Sequence, residues 1–577
     1  MTDHPTIARV LCDRSGPDRA FDYRIPDSLV DRVSVGSIVR VSLHGRRIGG
    51  WIRDLDPPDA SPADELLPLQ HVSGVGPDQA ICELAEWAAH RWAGRRSQFF
   101  RAASPLRVVS AIGRSSYSEM RPEPRSPATS KLLGNGGGVL RLPPTSDVLP
   151  SVWSCLERGP VLVIVPGIDD AAILHSRVSR AGVTTALLPQ DWPRAAAGVD
   201  VTIGTRTAAF ARLPELGSIL IIDEFDERLQ SESSPTWHAR EVLAERARRA
   251  GLPLVLVSAV PTPEGLKDRE VAAPSRAREV AGWPEIVVAD LSEVDGPRVG
   301  RLASAVIEEL RDPSRRVLCV INRTGTSRLL ACKSCRELAI CEECASVMSQ
   351  PGDDELFCEK CGSHRPRLCS YCNGMSFLNL RPGTGRLVKE IAAAAGRGAV
   401  LVEGDVQPDW SAGQTDVLVG TEALLHRVTH ADTVVFLDID GEAFAPRFRA
   451  GEQVLGLLAR AARIVGRKGD GGRLIMQSQE PDHGLIAALS RVDIGAAAEA
   501  ERAHREELSL PPYGAMAVVE GGSAGEFVES LPKTVRIGGL GDRRQVRGPD
   551  AEVLADALAV GKRPAKGRLR VAVNPSR

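Results

Sequence analysis

Eight of the twelve cysteines stand in four CxxC pairs within one short stretch, Cys332/Cys335, Cys341/Cys344, Cys358/Cys361 and Cys369/Cys372. A CxxC turn aims two thiolates at one point while backbone amides hydrogen-bond the sulfurs. Two such turns complete a closed tetrahedral zinc site, and four imply two zinc ions. The gap from Cys344 to Cys358 has the length of a finger-like loop, whereas that from Cys335 to Cys341 is too tight to close on itself. This spacing predicts a nested arrangement: Cys341, Cys344, Cys358 and Cys361 around the inner ion, and Cys332, Cys335, Cys369 and Cys372 around the outer one. A cross-braced pairing and an iron–sulfur cluster stay open as alternatives. With cysteine in every position the sites have no free coordination place, so their role is structural. His364 stands beside a complete cysteine set and reads as a surface histidine, while the unpaired Cys12, Cys82, Cys155 and Cys319 read as buried thiols.

At 577 residues the chain has room for about four domains. Its 43% apolar and 25% charged content excludes collagen-like, coiled-coil and wholly disordered chains. The start, MTDHPTIARV, lacks a basic tip and an apolar stretch, and no apolar run reaches spanning length, so a cytoplasmic protein without membrane contact is expected. A net charge of -2 means that any nucleic-acid contact has to come from local basic patches.

From Ala8 to about Pro105 short β-branched runs such as Ser37 to Val41 and Ile48 to Ile52 predict a β-rich module, followed by an amphipathic helix with Leu84, Trp87, Ala88 and Trp92 on one face. Residues 114–138, rich in Ser, Pro and Arg and ending in five residues of which four are glycine, read as a flexible linker. Uninterrupted apolar runs then alternate with helical stretches: Val161 to Val165, Thr202 to Gly204, Ile219 to Ile222 and Leu254 to Val257. A second series comprises Arg316 to Ile321, Ala399 to Val402, Val417 to Val419, Thr433 to Leu437 and Leu474 to Gln477. Such runs suit parallel sheets covered on both faces. The expected division is 1–113, 114–138, 139–300, 301–480 with the cysteine insertion at 331–375, and 481–577.

Ordered motifs carry a resemblance. Phe21-Asp22-Tyr23, Gly204-Thr205-Arg206-Thr207-Ala208-Ala209-Phe210, Ile221-Ile222-Asp223-Glu224 and Trp237-His238-Ala239-Arg240 precede Asn322-Arg323-Thr324-Gly325 and the cysteines. Pro382-Gly383-Thr384, Val419-Gly420-Thr421, Asp438-Ile439-Asp440, Phe448-Arg449-Ala450, Gly466-Arg467, Pro481-Asp482-His483 and Leu510-Pro511-Pro512-Tyr513-Gly514 follow. The set resembles the PriA family of bacterial primosomal replication-restart proteins, which are superfamily 2 DNA helicases. The fold class this implies is α/β: an N-terminal β-rich DNA-binding module, two RecA-like helicase-type lobes with a double-zinc insertion in the second, and a small α+β C-terminal domain. The family's winged helix has only the linker in its place.

The departures fall on the ATP site. Where a phosphate loop belongs, Leu140-Arg141-Leu142-Pro143-Pro144-Thr145-Ser146-Asp147 offers no glycine, no lysine and two prolines without N–H groups. The glycine run at 134–138 lacks a preceding apolar strand and a Lys-Ser/Thr pair, which favours a linker over a displaced phosphate loop. The family's DEEH is Asp223-Glu224-Phe225-Asp226 here, leaving Asp223 and Glu224 as relicts of a magnesium ligand and a base; SATP is Ser258-Ala259-Val260-Pro261, and the stretch around His426 to Ala431 is unrelated to the family's. Arg467 aligns with the second arginine of the family's pair, and Ile464 takes the place of the first. Together these changes put ATP and Mg2+ in doubt as cofactors and imply a protein without ATP-driven helicase activity of its own. An active 3′–5′ helicase with a non-standard ATP site, or a zinc protein with an unrelated partner, are the competing readings.

For nucleic acid the resemblance places Phe21, Asp22 and Gly45 in a pocket for the 3′ end of a strand, with the pocket lysine lost near Leu67. An aromatic face stacks on a terminal base, a carboxylate accepts from a 3′-hydroxyl, and Arg46 and Arg47 supply phosphate contacts. Trp237 lies in the family's aromatic-rich loop, which contacts single strands. Implied partners are branched or forked and single-stranded DNA, the other primosome components, the replicative helicase and single-stranded-DNA-binding protein, which places the chain at forks on the nucleoid.

Overall fold

The computed structural model describes residues 5–14, 18–292, 302–321, 330–335, 337–349, 355–358, 360–379, 384–402, 417–539, 541–564 and 569–576. The Asn322-Arg323-Thr324-Gly325 and Pro382-Gly383 motifs lie outside them. Strands β1 (Ile7–Cys12), β2 (Ala20–Arg24), β3 (Ile38–Leu43), β4 (Arg46–Leu55) and β5 (His71–Gly74) form an antiparallel sheet in the order β2-β1-β4-β3-β5. Period-2 alternation decides its faces: Val39 and Val41 are buried while Arg40 between them is exposed. Helix α1 (Gln79–Arg91) starts where the Asp78 side chain accepts the Ile81 amide at 3.0 Å. Its stripe of Ile81, Leu84, Ala85 and Ala88, with Trp92 just beyond, is buried, and α2 (Arg96–Ala103) packs beside it.

The first lobe contains α3 (Pro127–Gly134), β6 (Gly137–Arg141), α4 (Leu149–Leu156), β7 (Val161–Ile164), β8 (Thr185–Leu187), β9 (Val201–Gly204), β10 (Ser218–Ile222), α5 (Ala239–Ala250), β11 (Leu254–Ser258), α6 (Pro263–Leu266) and β12 (Val271–Ala272). Its parallel sheet runs β12-β6-β11-β10-β7-β9-β8, and β7, β9, β10 and β11 are buried along their whole length, as unbroken apolar runs require.

The second half of the expected linker is regular structure, a correction to the sequence reading. Thr129, Leu132 and Leu133 of α3 are buried, and Gly137 and Gly138 begin β6 instead of trailing into a tether. These glycines have φ of +120° and +155°, and a Cβ would stand 2.1 Å from the Leu254 carbonyl oxygen at Gly137 and 2.6 Å from that of Glu270 at Gly138. Their missing side chains let the strand thread between its neighbours.

The second sheet begins earlier than the expected boundary at 300/301. Strand β13 (Glu285–Asp290) pairs with its far edge, giving β13-β22-β21-β14-β20-β19, all parallel, with β14 (Val317–Val320), β19 (Ala399–Val402), β20 (Val417–Gly420), β21 (Thr433–Phe436) and β22 (Arg473–Ser478). Between β14 and β19 two small antiparallel ribbons are nested. The outer joins β15 (Leu330–Cys332) to β18 (Phe377–Asn379), and the inner joins β16 (Glu355–Phe357) to β17 (His364–Pro366). Helices α7 (Ala450–Val465) and α8 (Ile494–Glu507) pack on this lobe. The chain continues in an antiparallel sheet β24-β25-β23-β26, made of β23 (Ala515–Glu520), β24 (Arg536–Gly538), β25 (Arg543–Gly548) and β26 (Arg570–Val573).

One apolar cluster joins Leu11 and Trp51 of the N-terminal sheet, Phe99 of α2, Ile219 of the first lobe, and Val519 and Phe527 of the C-terminal unit. Three of the expected units are therefore welded into one body. No helix among the described residues is long and apolar enough to cross a membrane.

Candidate functional site

All four CxxC turns close in the same way. The amide of the first cysteine donates to the carbonyl five residues on: Cys332 to Glu337, Cys341 to Ser346, Cys358 to Ser363 and Cys369 to Gly374, at 2.7 to 2.9 Å. After the second cysteine the chain turns through the left-handed region at Ala345, Gly362 and Asn373. This repeated local geometry presents the thiols in the nested sets, Cys332, Cys335, Cys369 and Cys372 in one and Cys341, Cys344, Cys358 and Cys361 in the other, with all sulfurs of a set within 4.8 Å of one another. Facing sulfurs lie 3.3 to 3.6 Å apart, a little inside the spacing of about 3.8 Å that four sulfurs take around zinc at about 2.3 Å. Each set can hold a metal ion with no place left for a substrate. His364 is half-exposed against Phe357, as read from the sequence, and Cys12, Cys82, Cys155 and Cys319 are buried free thiols.

The carboxyl ends of β6, β11 and β10 lie side by side, the place where a parallel sheet binds ligands. Here the groups are engaged with one another. Glu224 is fully buried and accepts from Arg240 Nη1 at 2.8 Å, the Thr262 amide at 2.7 Å and Thr262 Oγ1 at 2.9 Å. Burial pushes its carboxyl up, against the pull of Arg240 and Thr262. Asp223, held at φ +55°, receives Arg463 of the second lobe through both carboxylate oxygens, at 2.5 and 2.7 Å. Arg463 Nε also donates to the Pro144 carbonyl at 3.1 Å. The 142–148 loop is pinned by its own bonds: the Leu142 amide to the Ser258 carbonyl at 3.1 Å and Thr145 Oγ1 to the Gly282 carbonyl at 3.0 Å. Burial alone would raise the Asp226 carboxyl, but Arg460 and Arg228 outweigh it and hold the group well below the usual carboxylate range.

Arg467 has to be corrected as a member of this site. It is half-exposed and pairs with Asp470 three residues on, because the helix ends at Val465 and Gly466 turns the chain away with φ +79°. The arginines that reach across are Arg463 and Arg460, which sequence comparison missed. Their only signal is a repeat at helical spacing, indistinguishable from a solvent-facing stripe until the partner lobe is in place.

In the N-terminal sheet Asp22 lies opposite Arg9, which grips it bidentately at 2.8 and 2.9 Å. Phe21 is half-buried against the module's core and Tyr23 is wholly inside, its hydroxyl on the Ser42 carbonyl. His44 and Gly45, with φ of +49° and +73°, form the two-residue turn between the paired Leu43 and Arg46. Gly45 therefore has a backbone reason to be there, and the turn carries Arg46 and Arg47 into solvent. Leu67 stands beside β2, its carbonyl accepting the Arg24 amide at 3.0 Å, with an exposed apolar side chain where the lysine was expected.

Trp237 is corrected as a DNA contact. It is 7% exposed, its ring centroid 5.2 Å from that of Phe210 and 6.2 Å from that of Phe99, with the Arg206 guanidinium 5.5 Å away. Phe99 and Phe210 belong with it to the shared core, so the indole is not open for a base to stack on.

An antiparallel module with an arginine-bearing hairpin, set on two parallel α/β lobes with a cysteine-rich insertion, defines a class of DNA-binding proteins built on a helicase-type frame. Residues 9–105 match the family model of the PriA 3′ DNA-binding domain. Over most of its length the chain is similar to replication restart proteins. It is 28% identical to the "Probable replication restart protein PriA" of Mycobacterium tuberculosis, over 87% of this chain and 85% of that one. It is 26% identical to the replication restart protein PriA of Treponema pallidum (86% and 84%) and 25% identical to that of Haemophilus influenzae (68% and 60%).

Proposed function

We propose that this chain recognises 3′-ended DNA at stalled or abandoned replication forks and promotes primosome assembly and reloading of the replicative helicase, without separating strands by its own ATP turnover. The N-terminal module takes the DNA end, with Phe21 and the Arg46-Arg47 hairpin at the contact and Asp22, oriented by Arg9, accepting from the 3′-hydroxyl through the lone pairs that Arg9 leaves. The lobes form the platform, and two zinc ions, one in each cysteine set, staple the insertion as a surface for partners. Single-stranded-DNA-binding protein and the replicative helicase system are the partners implied by the restart reading.

One observation carries the ATP-independent part: Asp223 and Glu224, the carboxylates that would hold magnesium and activate water, are both taken up by arginines of the protein itself. A magnesium ion needs carboxylate oxygens that are free, and a general base needs access to water. Neither is offered. The test is ATP hydrolysis by zinc-loaded protein with and without a fork carrying a 3′ end, beside Asp223→Asn. Background turnover together with fork binding is the expected result. DNA-stimulated turnover that is lost in Asp223→Asn would overturn it in favour of an active helicase.

A further inference from the structure

The geometry points to a latch: one face of α7 zips the second lobe onto the first, with Arg463 standing in for the cation that a nucleotide would bring to Asp223, so that the two lobes behave as one rigid platform. This rests on the ATP-independent reading and goes beyond it, since a dead ATP site by itself leaves the lobes free to hinge.

Arg449, Gly456, Arg460 and Arg463 succeed one another at steps of seven, four and three residues, which puts them on one side of the helix. Each meets the first lobe. Arg463 takes both oxygens of Asp223 and the Pro144 carbonyl; Arg460 Nε reaches Asp226 at 3.2 Å; Arg449 pairs with Glu264 of α6 at 2.5 Å. Between these pairs the Phe225 ring packs against the helix at Gly456, where a Cβ would stand 3.1 Å from its Cδ2. Glu264 is gripped a second time by Arg505 of α8 at 3.1 Å, and Arg505 is in turn held by Glu452 and Glu501 at 2.7 and 2.9 Å.

Position and burial favour a latch over an incidental surface contact. Arg449, Arg505, Glu264 and Asp226 are all buried, and parting the lobes would strip Glu264 of both its arginines, whereas Asp226 keeps Arg228, Arg449 keeps Glu452, and Arg505 keeps Glu452 and Glu501. Arg463 sits at the rim, half-exposed, and is the most accessible tooth of the comb. A magnesium–nucleotide entering the cleft would first have to expel its guanidinium from Asp223 and break its bond to the loop at Pro144. In a hinging ATPase the cation arrives and leaves with the nucleotide. Here it is covalently part of the helix, so no step of a cycle removes it.

The experiment measures the distance between spin labels carried on unnatural amino acids at the exposed Ser176 of the first lobe and Lys389 of the second, by pulsed EPR on the full zinc-loaded chain. The expected result is one narrow distribution, unchanged by ATP and Mg2+. It should widen at least about twofold in the Arg460→Ala/Arg463→Ala variant, and also in Gly456→Leu, which wedges the same interface without changing charge. A wild-type distribution that is already broad or two-peaked, or variants that keep the narrow one, would overturn the latch. ATP turnover on the same samples separates the two claims: lobes that move without turnover refute the latch alone, while DNA-stimulated turnover refutes the functional reading beneath it.

Discussion

Replacing Trp237 by alanine distinguishes a core anchor from a DNA-stacking residue. As a buried indole among Phe210, Phe99 and Arg206, it fills a volume that the welded core cannot close over. Truncating such a side chain costs about 3–5 kcal/mol through lost burial and residual cavity. The edge-to-face contact with Phe210, about 0.5–1.5 kcal/mol in its own right, is part of that total. A base stacked on an exposed tryptophan would instead contribute about 1–3 kcal/mol to DNA affinity and nothing to folding. Urea unfolding followed by far-UV circular dichroism should therefore show Trp237→Ala losing about 3–5 kcal/mol in the transition of the shared core. Trp237→Phe should lose less. Affinity for a 3′-ended fork, measured well below the unfolding range, should stay close to wild type. Unchanged stability with an affinity loss of about tenfold, the size of one stacked base, would refute the assignment.

Removing Arg240 strands a buried carboxylate, so Arg240→Met should destabilise by about 3–5 kcal/mol in calorimetry, with much of the loss recovered by adding Glu224→Gln. Cys344→Ser should cost one of two metal equivalents by elemental analysis while the set around Cys332 stays loaded, because the nested sets share no ligand. Arg46→Ala and Arg47→Ala should each flatten the salt dependence of fork binding by up to about 0.9 in the log–log slope, if each arginine neutralises one phosphate. Glu264 would be raised by burial, yet Arg449 and Arg505 hold it below its ordinary 4.5, so its stabilisation is complete above that value and is lost as pH falls below it. Melting temperatures of Glu264→Gln should accordingly vary less than wild type between pH 5 and about 2, a range set by that shift.

Local chemistry determined what the sequence reveals by itself. A CxxC turn is closed by its own backbone, so four of them could be read as two metal sites, and the loop lengths pointed to the nested pairing while leaving the cross-braced one open until the structure brought the two sets together. Runs such as Val161 to Val165 and Leu254 to Val257 announce buried parallel strands because only a strand covered on both faces is apolar at every position. Tertiary structure decided the rest. The run at Gly137 and Gly138 looks like a tether until Leu254 and Glu270 press against it from both sides. Trp237 looks like a DNA contact until Phe99 and Phe210 cover it. Arg463 and Asp223 stand 240 positions apart in the chain, and no spacing rule links charges so distant. Their meeting depends on how one lobe sits on the other, and that is set by the sum of many weak contacts across the interface, which no local pattern encodes.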